Sequence, residues 1–398
     1  MIPTVRKLVM VAAVAMTLML AASPSVASSS TPSTSPAGSS TRTQASTAMN
    51  TRQPQDVDDV YFLTPSVGWA SEDNPTPLLM TTDAGAHWRD VSPPMLRRKG
   101  FGLTNGLAGA DFLSPTDFFV SVYESGPEEY LPVFLLHTTD GGRKWTGVGS
   151  FPRGVGTAWV SFQNDQQGWD AIGNGAAGGA FTVTIYETTS GGAHWLMVSR
   201  SMSLGGKPGT PDNPSGCGDT GLVAQGTLRA PVLWLTGYDS IAPCVLESTD
   251  GGKRWGGAGL PDPSAGSSGE AWPPAFSSKS NGALAAWYGT AQGGVTAVYS
   301  TTNGGRTWVE HRSPAANPAL VAVVSATTWF AAINRTLYRT TDDGTGWSTV
   351  RASINFGGVQ ASNTLDFVNS VDGWAVRAGA LWHTTDGGHI WVQEVLPT

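Results

Sequence analysis

Large apolar residues alternate with polar ones in seven short stretches of the chain, each of which ends at a Thr or Ser. Two positions before that Thr or Ser, the side chain is always large and apolar or aromatic: Leu79, Leu136, Tyr186, Leu246, Tyr299, Tyr338 and Trp382. The position in between is mostly polar, as at His137 and Glu187. Alternation with a period of two is typical of a strand that has one buried face. The pattern therefore predicts seven equivalent β-strands.

Each of these stretches leads into an octapeptide that recurs seven times, at intervals of 39 to 60 residues. The copies are TTDAGAHW at 81–88, TTDGGRKW at 138–145, TTSGGAHW at 188–195, STDGGKRW at 248–255, TTNGGRTW at 301–308, TTDDGTGW at 340–347 and TTDGGHIW at 384–391. A motif repeated at such intervals predicts a repeat architecture.

Two further apolar strands precede each octapeptide. The nearer one is centred on an aromatic residue and reads VGWAS at 67–71, DFFVS at 117–121, QGWDA at 167–171, VLWLT at 232–236, TTWFA at 327–331 and DGWAV at 372–376; the fifth unit departs from it with Ala283. We name the strands a, b and c, with the octapeptide between c and a strand d that begins at its Trp. Four antiparallel strands repeated radially predict an all-β fold, a seven-bladed β-propeller of four-stranded antiparallel blades over residues 54–398.

The residue types of the octapeptide suit a tight turn. The third residue can accept backbone hydrogen bonds in an Asx-type turn, and the first can add a weaker bond. The fifth residue is always Gly, which readily adopts positive φ. The Trp at the eighth position covers the sheet with a large apolar surface. The third, fifth and eighth positions are Asp83, Gly85, Trp88, Asp140, Gly142, Trp145, Ser190, Gly192, Trp195, Asp250, Gly252, Trp255, Asn303, Gly305, Trp308, Asp342, Gly344, Trp347, Asp386, Gly388 and Trp391. Ser190 and Asn303 can still accept a hydrogen bond but could not replace a catalytic carboxylate. We therefore expect these residues to build the fold.

The pattern S/T-x-D-x-G-x-x-W resembles the Asp-box, or bacterial neuraminidase repeat. Together with the GWA-like strand, the units resemble the photosystem II stability and assembly factor family and its bacterial relatives over about residues 56–398. The resemblance implies a seven-bladed propeller with the boxes at the outer rim of one face. It does not imply photosynthesis, because such relatives extend well beyond it.

The composition agrees with a turn-rich β protein and argues against a nucleic-acid partner. Charged residues make up 13% of the 398, against roughly 25% in a typical soluble domain. The net charge of −7 lacks the basic character of nucleic-acid-binding domains. The basic run 97–99 is read as a solvated loop.

The N-terminus has the features of a targeting segment. Arg6 and Lys7 precede an apolar run of 15 residues at 8–22, and 25–27 fits a small-x-small cleavage site. Residues 1–27 predict a signal peptide, with retention as a membrane tether as the alternative. Residues 28–53 are rich in Ser, Thr, Pro and Ala and predict a disordered linker. We expect an exported monomer, secreted or associated with the cell surface, without a stable membrane span after cleavage.

The chain has two cysteines, Cys217 and Cys244, and an even pair in an exported protein predicts one disulfide. No cofactor and no metal site are expected: five of the six histidines lie in or directly before octapeptides, and only His311 lies apart. No Gly-rich phosphate loop or GxSxG elbow is present in the sequence; GNGAAGGA at 173–180 only links strands b and c.

Two classes of glycoside hydrolase share the resemblance. Sialidases carry Asp-boxes but have six blades, and they bind the sialate carboxylate with three arginines. Four arginines lie apart from the octapeptides and could serve a pocket: Arg153, Arg229, Arg335 and Arg377. The Arg-Ile-Pro signature of sialidases is not found. Xyloglucan-cleaving endoglucanases set two aspartates in a cleft between two propellers, and this chain has one.

The topology predicts where a binding surface lies. Octapeptides share one face with the a–b turns, so the opposite face carries the b–c loops and the d-to-a connections, in segments 92–108, 123–132, 173–181, 201–216 and 262–274. Candidate binding residues on that face are Glu124, Glu128, Glu129, Tyr130, Tyr238, Asp239, Tyr288, Arg335 and Arg377. Rigid scaffolds commonly display function on loops. We therefore predict a non-enzymatic scaffold that binds a protein or a glycan, with a sialidase-type hydrolase as the alternative.

Overall fold

A computed structural model describes residues 57–72, 78–96, 105–124, 131–154, 158–177, 180–200, 221–227, 230–239, 243–258, 260–261, 269–289, 294–312, 320–357 and 364–396. All regular secondary structure within these ranges is β-strand. No helix in the described part of the chain is long and apolar enough to span a membrane. The predicted signal peptide and linker lie outside the described residues and stay predictions.

The first three blades each consist of four consecutive antiparallel strands. Blade 1 contains β1 (Val57–Phe62), β2 (Gly68–Glu72), β3 (Leu78–Thr81) and β4 (Arg89–Asp90). Blade 2 contains β5 (Asn105–Phe112), β6 (Phe118–Glu124), β7 (Leu131–Thr138) and β8 (Thr146–Gly154). Blade 3 contains β9 (Ala158–Phe162), β10 (Gly168–Ala177), β11 (Ala180–Thr188) and β12 (Leu196–Arg200).

Blades 4 and 5 are joined into one larger sheet, while blades 6 and 7 are regular. Blade 4 contains β13 (Gly221–Thr227), β14 (Ala230–Asp239), β15 (Cys244–Ser248) and β16 (Gly256–Gly257). In blade 5, strand a is split into β17 (Gly269–Ala271) and β18 (Ala275–Phe276), followed by β19 (Gly282–Tyr288), β20 (Val295–Thr301) and β21 (Val309–Arg312). The last blades contain β22 (Leu320–Val323), β23 (Trp329–Ile333), β24 (Thr336–Thr340), β25 (Ser348–Arg351), β26 (Thr364–Phe367), β27 (Gly373–Arg377), β28 (Ala380–Thr384) and β29 (Val392–Gln393).

The predicted seven-bladed propeller is therefore confirmed, but four of the predicted loops were too long, and β17 lies within the one at 262–274. Strands β5, β6 and β7 extend into 92–108 and 123–132, and β10 and β11 leave only 178–179 of the supposed link at 173–180. The ladder of β10 and β11 continues through Gly173 and Ala176 with a bulge between them. Backbone pairing does not depend on side chains, so a Gly- and Ala-rich stretch can extend a hairpin that a sequence pattern suggests is a loop.

Aromatic stacking joins several neighbouring blades. Trp69 of β2 stacks on Phe112 of β5, with 3.9 Å between ring centroids, and Phe119 of β6 stacks on Phe162 of β9 at 3.6 Å. A strand-b aromatic of one blade thus packs on the strand-a Phe of the following blade. These rings are fully or almost fully buried, so the hydrophobic core runs through the inter-blade layers.

The same contact closes the ring between the last and first blades. Trp374 of β27 stacks on Phe62 of β1 with 3.4 Å between centroids and an interplanar angle of 7°. The Phe62 N–H donates to the Asp366 carboxylate of β26 at 2.9 Å. Because each of the two blades is built from consecutive residues, this seam is held by side chains and isolated hydrogen bonds rather than by a shared strand.

Candidate functional site

The seven octapeptides form the same turn, in which their polar groups bond to one another. In the second copy, the Thr138 hydroxyl accepts a hydrogen bond from the Gly142 N–H at 2.9 Å and donates to Asp140 at 3.0 Å. Asp140 also accepts from the Lys144 N–H at 2.9 Å. Equivalent bonds occur in all seven copies. Ser190 and Asn303 therefore accept the same backbone hydrogen bond as the aspartates.

Two successive positions of each octapeptide, rather than one, adopt positive φ. The fifth-position glycines have φ between 75° and 97°. The fourth position is left-handed as well, and there Ala84 and Asp343 replace glycine at φ 63° and 60°. The sequence signal for this second position was present, since the other five copies have Gly there. A side chain in this conformation costs roughly 1 kcal/mol or more.

Octapeptides also contact the outer strand of the preceding blade, as the second copy shows. Trp145 donates from Nε1 to the Val91 carbonyl at 3.0 Å, and Arg89 donates to the Gly141 carbonyl at 2.6 Å. A Cβ built on Gly142 would lie 2.6 Å from Cβ of Val91. The octapeptides thus fasten neighbouring blades together as well as closing hairpins.

Hydrogen bonds lower the pKa of four octapeptide carboxyl groups. The side chain and N–H of His87 hold the pKa of Asp83 below its ordinary value, and the N–H of Lys144 does the same for Asp140. The pKa values of Asp342 and Asp386 are lowered too. Such groups are ionised acceptors at neutral pH and are unsuited to general-acid catalysis.

The octapeptides lie on the face that carries the a–b turns. The Gly141 N–H donates to the Thr116 carbonyl at 2.9 Å, and the Gly387 N–H donates to the Val371 carbonyl at 3.0 Å. We call this the octapeptide face. The b–c turns and d-to-a connections lie at the opposite ends of the strands, which we call the loop face.

Six of the nine candidate binding residues lie within the described chain, all at the loop-face ends of b strands or in a b–c turn. They are Glu124 of β6, Tyr238 and Asp239 of β14, Tyr288 of β19, Arg335 between β23 and β24, and Arg377 of β27. Glu128, Glu129 and Tyr130 lie outside the described residues. The side chains of Glu124, Tyr238 and Asp239 are likewise not described, and these residues are placed by their strand positions alone.

The extra pairing between blades 4 and 5 brings three of these candidates to the same end of one sheet, in two successive rows that face opposite sides of it. Tyr238 pairs with Glu270 of β17, which pairs with Trp287 of β19; in the next row Asp239 pairs with Gly269, and Gly269 pairs with Tyr288. We call these six residues the blade 4–5 patch. Sequence reasoning missed Glu270 and Trp287, because β17 lies in a Gly-, Ser- and Pro-rich segment without strand periodicity.

Within the patch, Tyr288 is a support rather than an exposed contact. Its side chain is 2% exposed, and its hydroxyl lies 2.6 Å from that of Tyr299, which donates to the Pro261 carbonyl at 2.7 Å. Tyr288 was predicted to be a binding residue on the surface, but it is buried. Its hydroxyl instead contacts Tyr299, which holds the connection between blades 4 and 5 at Pro261. Glu270 and Trp287 are partly exposed and form the accessible part of the patch.

Only two of the four arginines considered for a pocket have described side chains. Arg335 is exposed and donates to the Ser353 carbonyl at 3.2 Å, whereas Arg377 is half-buried at the end of β27. Arg153 lies in β8, but its side chain is not described; Arg229 lies outside the described residues. Among described side chains, no three His, Cys, Asp or Glu residues are grouped so that they could hold a metal ion.

Three carboxyl groups away from the octapeptides are buried; Asp111 accepts a hydrogen bond from the Phe162 N–H, whereas Asp170 and Asp59 have raised pKa values. Asp170 of β10 is 0% exposed, and neither oxygen makes a hydrogen bond of normal geometry. Burial raises its pKa well above the ordinary value. Burial, together with the nearby Asp366, also raises the pKa of Asp59 in β1, despite a bond from the Val60 N–H. Neither Asp170 nor Asp59 reaches solvent, so we treat both as contributors to pH-dependent stability.

The predicted disulfide is not tested. Cys244 opens β15, as the strand pattern predicted, but Cys217 lies outside the described residues. The pairing of the two cysteines stays a prediction.

No protein-family model matches the chain, and no curated protein matches it. Solved structures similar to it include the GH74 xyloglucanase from Xanthomonas campestris, at 16% identity over 82% of this chain and 62% of the enzyme, with a TM-score of 0.29. Another is the GH93 alpha-L-arabinofuranosidase of Fusarium graminearum, at 12% identity over 71% of this chain and 91% of that chain, with a TM-score of 0.42. A third is the extracellular domain of a provisionally assigned hybrid two-component system from B. thetaiotaomicron, at 12% identity over 86% of this chain and 38% of that chain, with a TM-score of 0.44.

Proposed function

We propose that this chain is an exported propeller that binds a protein or glycan through its loop face and catalyses no reaction. One observation carries the proposal: the recurring polar groups that resemble seven catalytic sites are engaged in turn hydrogen bonds. Thr138, Asp140 and Gly142 bond to one another, and the same is true of each other copy. A ligand that needed these groups would have to compete with the fold.

The blade 4–5 patch is the part of the loop face best suited to a ligand. The pairing of β14 with β17 gives it a continuous backbone ladder, so its residues are displayed on a rigid surface rather than on a loop. Glu270 and Trp287 supply a carboxylate beside an aromatic ring, a combination that suits either the polar rim of a protein interface or a sugar.

The proposed scaffold role rests on the resemblance of the sequence to a known family. Octapeptides of the Asp-box type, together with the GWA-like strand, resemble photosystem II assembly factors and their bacterial relatives, which supports a scaffold role for this chain. The predicted signal peptide supports export, and the tethered form is the alternative. The experiment below does not depend on whether the partner is a protein or a glycan.

Reversal of a charge on each face tests the proposal. Labelled wild-type protein and the Glu270→Arg variant are incubated with intact cells of the source organism, and bound label is measured. We expect Glu270→Arg to weaken binding about tenfold or more, because a charge at the centre of an interface is reversed. Lys144→Glu, an exposed change on the octapeptide face, is the matched control and should bind like wild type. Equal binding by both variants, or a loss confined to Lys144→Glu, contradicts the proposal.

The alternative function, a glycoside hydrolase of sialidase type, is separated by turnover. A panel of fluorogenic glycosides, including an α-sialoside, is incubated with the wild-type protein and with Arg335→Ala and Arg377→Ala. We expect no turnover above that of a heat-inactivated sample. Turnover that either substitution abolishes overturns the non-enzymatic assignment.

A further inference from the structure

One position of strand c, directly before the octapeptide, has a side-chain partner in six blades. The pairs are Met80 with Arg89 at 3.2 Å, His137 with Asp117 at 2.6 Å, Glu187 with Gln167 at 3.4 Å, Ser300 with His311 at 3.0 Å, His383 with Glu394 at 3.3 Å, and Glu247 with the nearby charge of Arg306. In the other blades this half-buried row is therefore satisfied from within the protein.

Blade 6 is the exception. Its residue at this position is Arg339, which is half-buried and lies with its guanidinium carbon 5.9 Å from the centroid of Phe330. The neighbouring position on strand b, which holds Asp117 in blade 2, is Thr328 here. The Nε of Arg339 is buried, and no described protein group accepts a hydrogen bond from it. A buried donor without an acceptor is costly, and the partly exposed remainder of the guanidinium is left to bind a ligand.

The guanidinium borders a cleft of about 360 Å³ that is lined by Arg339, Thr341, Gly346, Trp347 and Ser348. This volume lies at the lower end of the range for small-molecule sites, roughly 300–1,000 Å³. The Trp347 indole supplies a flat apolar wall. Thr341 and Ser348 add hydroxyl groups at the rim.

We propose that this cleft binds a sugar acid, a six-membered polyhydroxylated ring that carries one carboxylate, with the carboxylate on Arg339. A carboxylate matches the planar fork of one guanidinium. A sugar ring can lie on the Trp347 indole and bond to the two hydroxyls. The cleft is lined in part by the sixth octapeptide and lies away from the loop face, so this site is independent of the proposed function.

The surrounding charges favour a single carboxylate over a phosphate. Among the described residues, Arg339 is the one cation that lines the cleft, while Asp342 and Asp343 lie in the adjoining turn. The Gly346 N–H, which could have bound an anion, already donates to Asp342 at 2.9 Å. A doubly charged anion would meet this repulsion without a second positive group to offset it.

Calorimetric titration of the full chain tests the site with four probes: glucuronate, glucose, acetate and inorganic phosphate. We expect glucuronate to bind at least about tenfold more tightly than each of the others, because only it supplies both ring and carboxylate. Arg339→Gln should weaken glucuronate binding by about tenfold or more. Arg351→Gln, which removes an exposed arginine of β25 in the same blade, should leave it unchanged.

The wild-type comparison decides the matter even if Arg339→Gln fails to fold. Equal affinity for glucose and glucuronate, tighter binding of phosphate or acetate, or no measurable heat with glucuronate overturns the proposal. So does a folded Arg339→Gln variant, judged by its melting curve, that retains wild-type affinity. A shift of the Trp347 indole N–H resonance by glucuronate but not by glucose, assigned through Trp347→Phe, supports it.

Discussion

At the scale of single residues, the octapeptide shows how a turn tolerates substitution. Third-position Ser190 and Asn303 accept the same N–H as the aspartates, at 2.9 and 3.0 Å, so the turn requires an acceptor rather than a charge. The fourth position requires a left-handed backbone, and Ala84 adopts it with a side chain in place. Local geometry, more than residue identity, defines the motif.

Ala84→Gly should therefore stabilise the protein by about 1 kcal/mol, because it removes the penalty of a Cβ at positive φ. Ala86→Gly is the matched control two residues later, outside the left-handed region, and should destabilise by roughly 0.5–1 kcal/mol through the entropy of the unfolded chain. Denaturant unfolding of both variants measures the two changes. Effects of the same sign would contradict the left-handed assignment.

Asp170 is the residue whose chemistry fits its surroundings least. The equivalent position of strand b is Leu235 in blade 4 and Leu284 in blade 5. Folding raises the pKa of Asp170, so this group does not destabilise the native state below its ordinary pKa of 3.8. The destabilisation grows as the pH rises from that value to the pKa in the folded state. Asp170→Leu should therefore stabilise by about 1–3 kcal/mol at neutral pH.

Melting curves at several pH values test this prediction. The gain from Asp170→Leu should shrink toward acidic pH, where the native carboxyl is protonated in both states. The reverse change at the matched position, Leu235→Asp, should destabilise most at high pH. A gain that is independent of pH would show that the charge of Asp170 is not the cause.

At the scale of the element, hydrogen bonds made by the first octapeptide residue hold the hairpin between strands c and d. Thr138→Val keeps the shape of the side chain but removes an acceptor for the Gly142 N–H and a donor to Asp140. We expect a loss of about 1–3 kcal/mol. Thr139→Val, an exposed neighbour, should change stability by less than about 0.5 kcal/mol. Equal effects in urea unfolding would refute the assigned role.

At the scale of the whole molecule, the ring depends on the seam between blades 7 and 1. Trp374 is fully buried there, and Trp374→Ala should cost about 3–5 kcal/mol. Its effect should also be local: amide exchange of Phe62, whose N–H bonds to Asp366, should accelerate. Trp69→Ala, which removes the same ring from the seam of blades 1 and 2, should leave Phe62 protected. Equal acceleration in both variants would argue against a separate closing seam.

The repeated pattern was sufficient to predict the architecture but not the contacts between blades. Strand order and the turn follow from residues close together in the sequence, such as Thr138 and Gly142. The blade 4–5 patch and the cleft at Arg339 depend on which strands become neighbours, for example Glu270 between Tyr238 and Trp287. Such neighbours are set by the closure of the ring, which period-two patterning does not encode.

The central claim is that the octapeptides build the fold and that the protein or glycan partner binds at the loop face. Its most direct test converts their five aspartates, Asp83, Asp140, Asp250, Asp342 and Asp386, to the asparagine found at Asn303 and measures binding of the labelled variant to intact source cells. Asn303 accepts the Thr307 N–H at 3.0 Å and the Thr301 hydroxyl at 3.0 Å, so the variant should fold with a lower melting temperature. The account predicts binding within about twofold of wild type. Loss of binding by a variant that remains folded would contradict it.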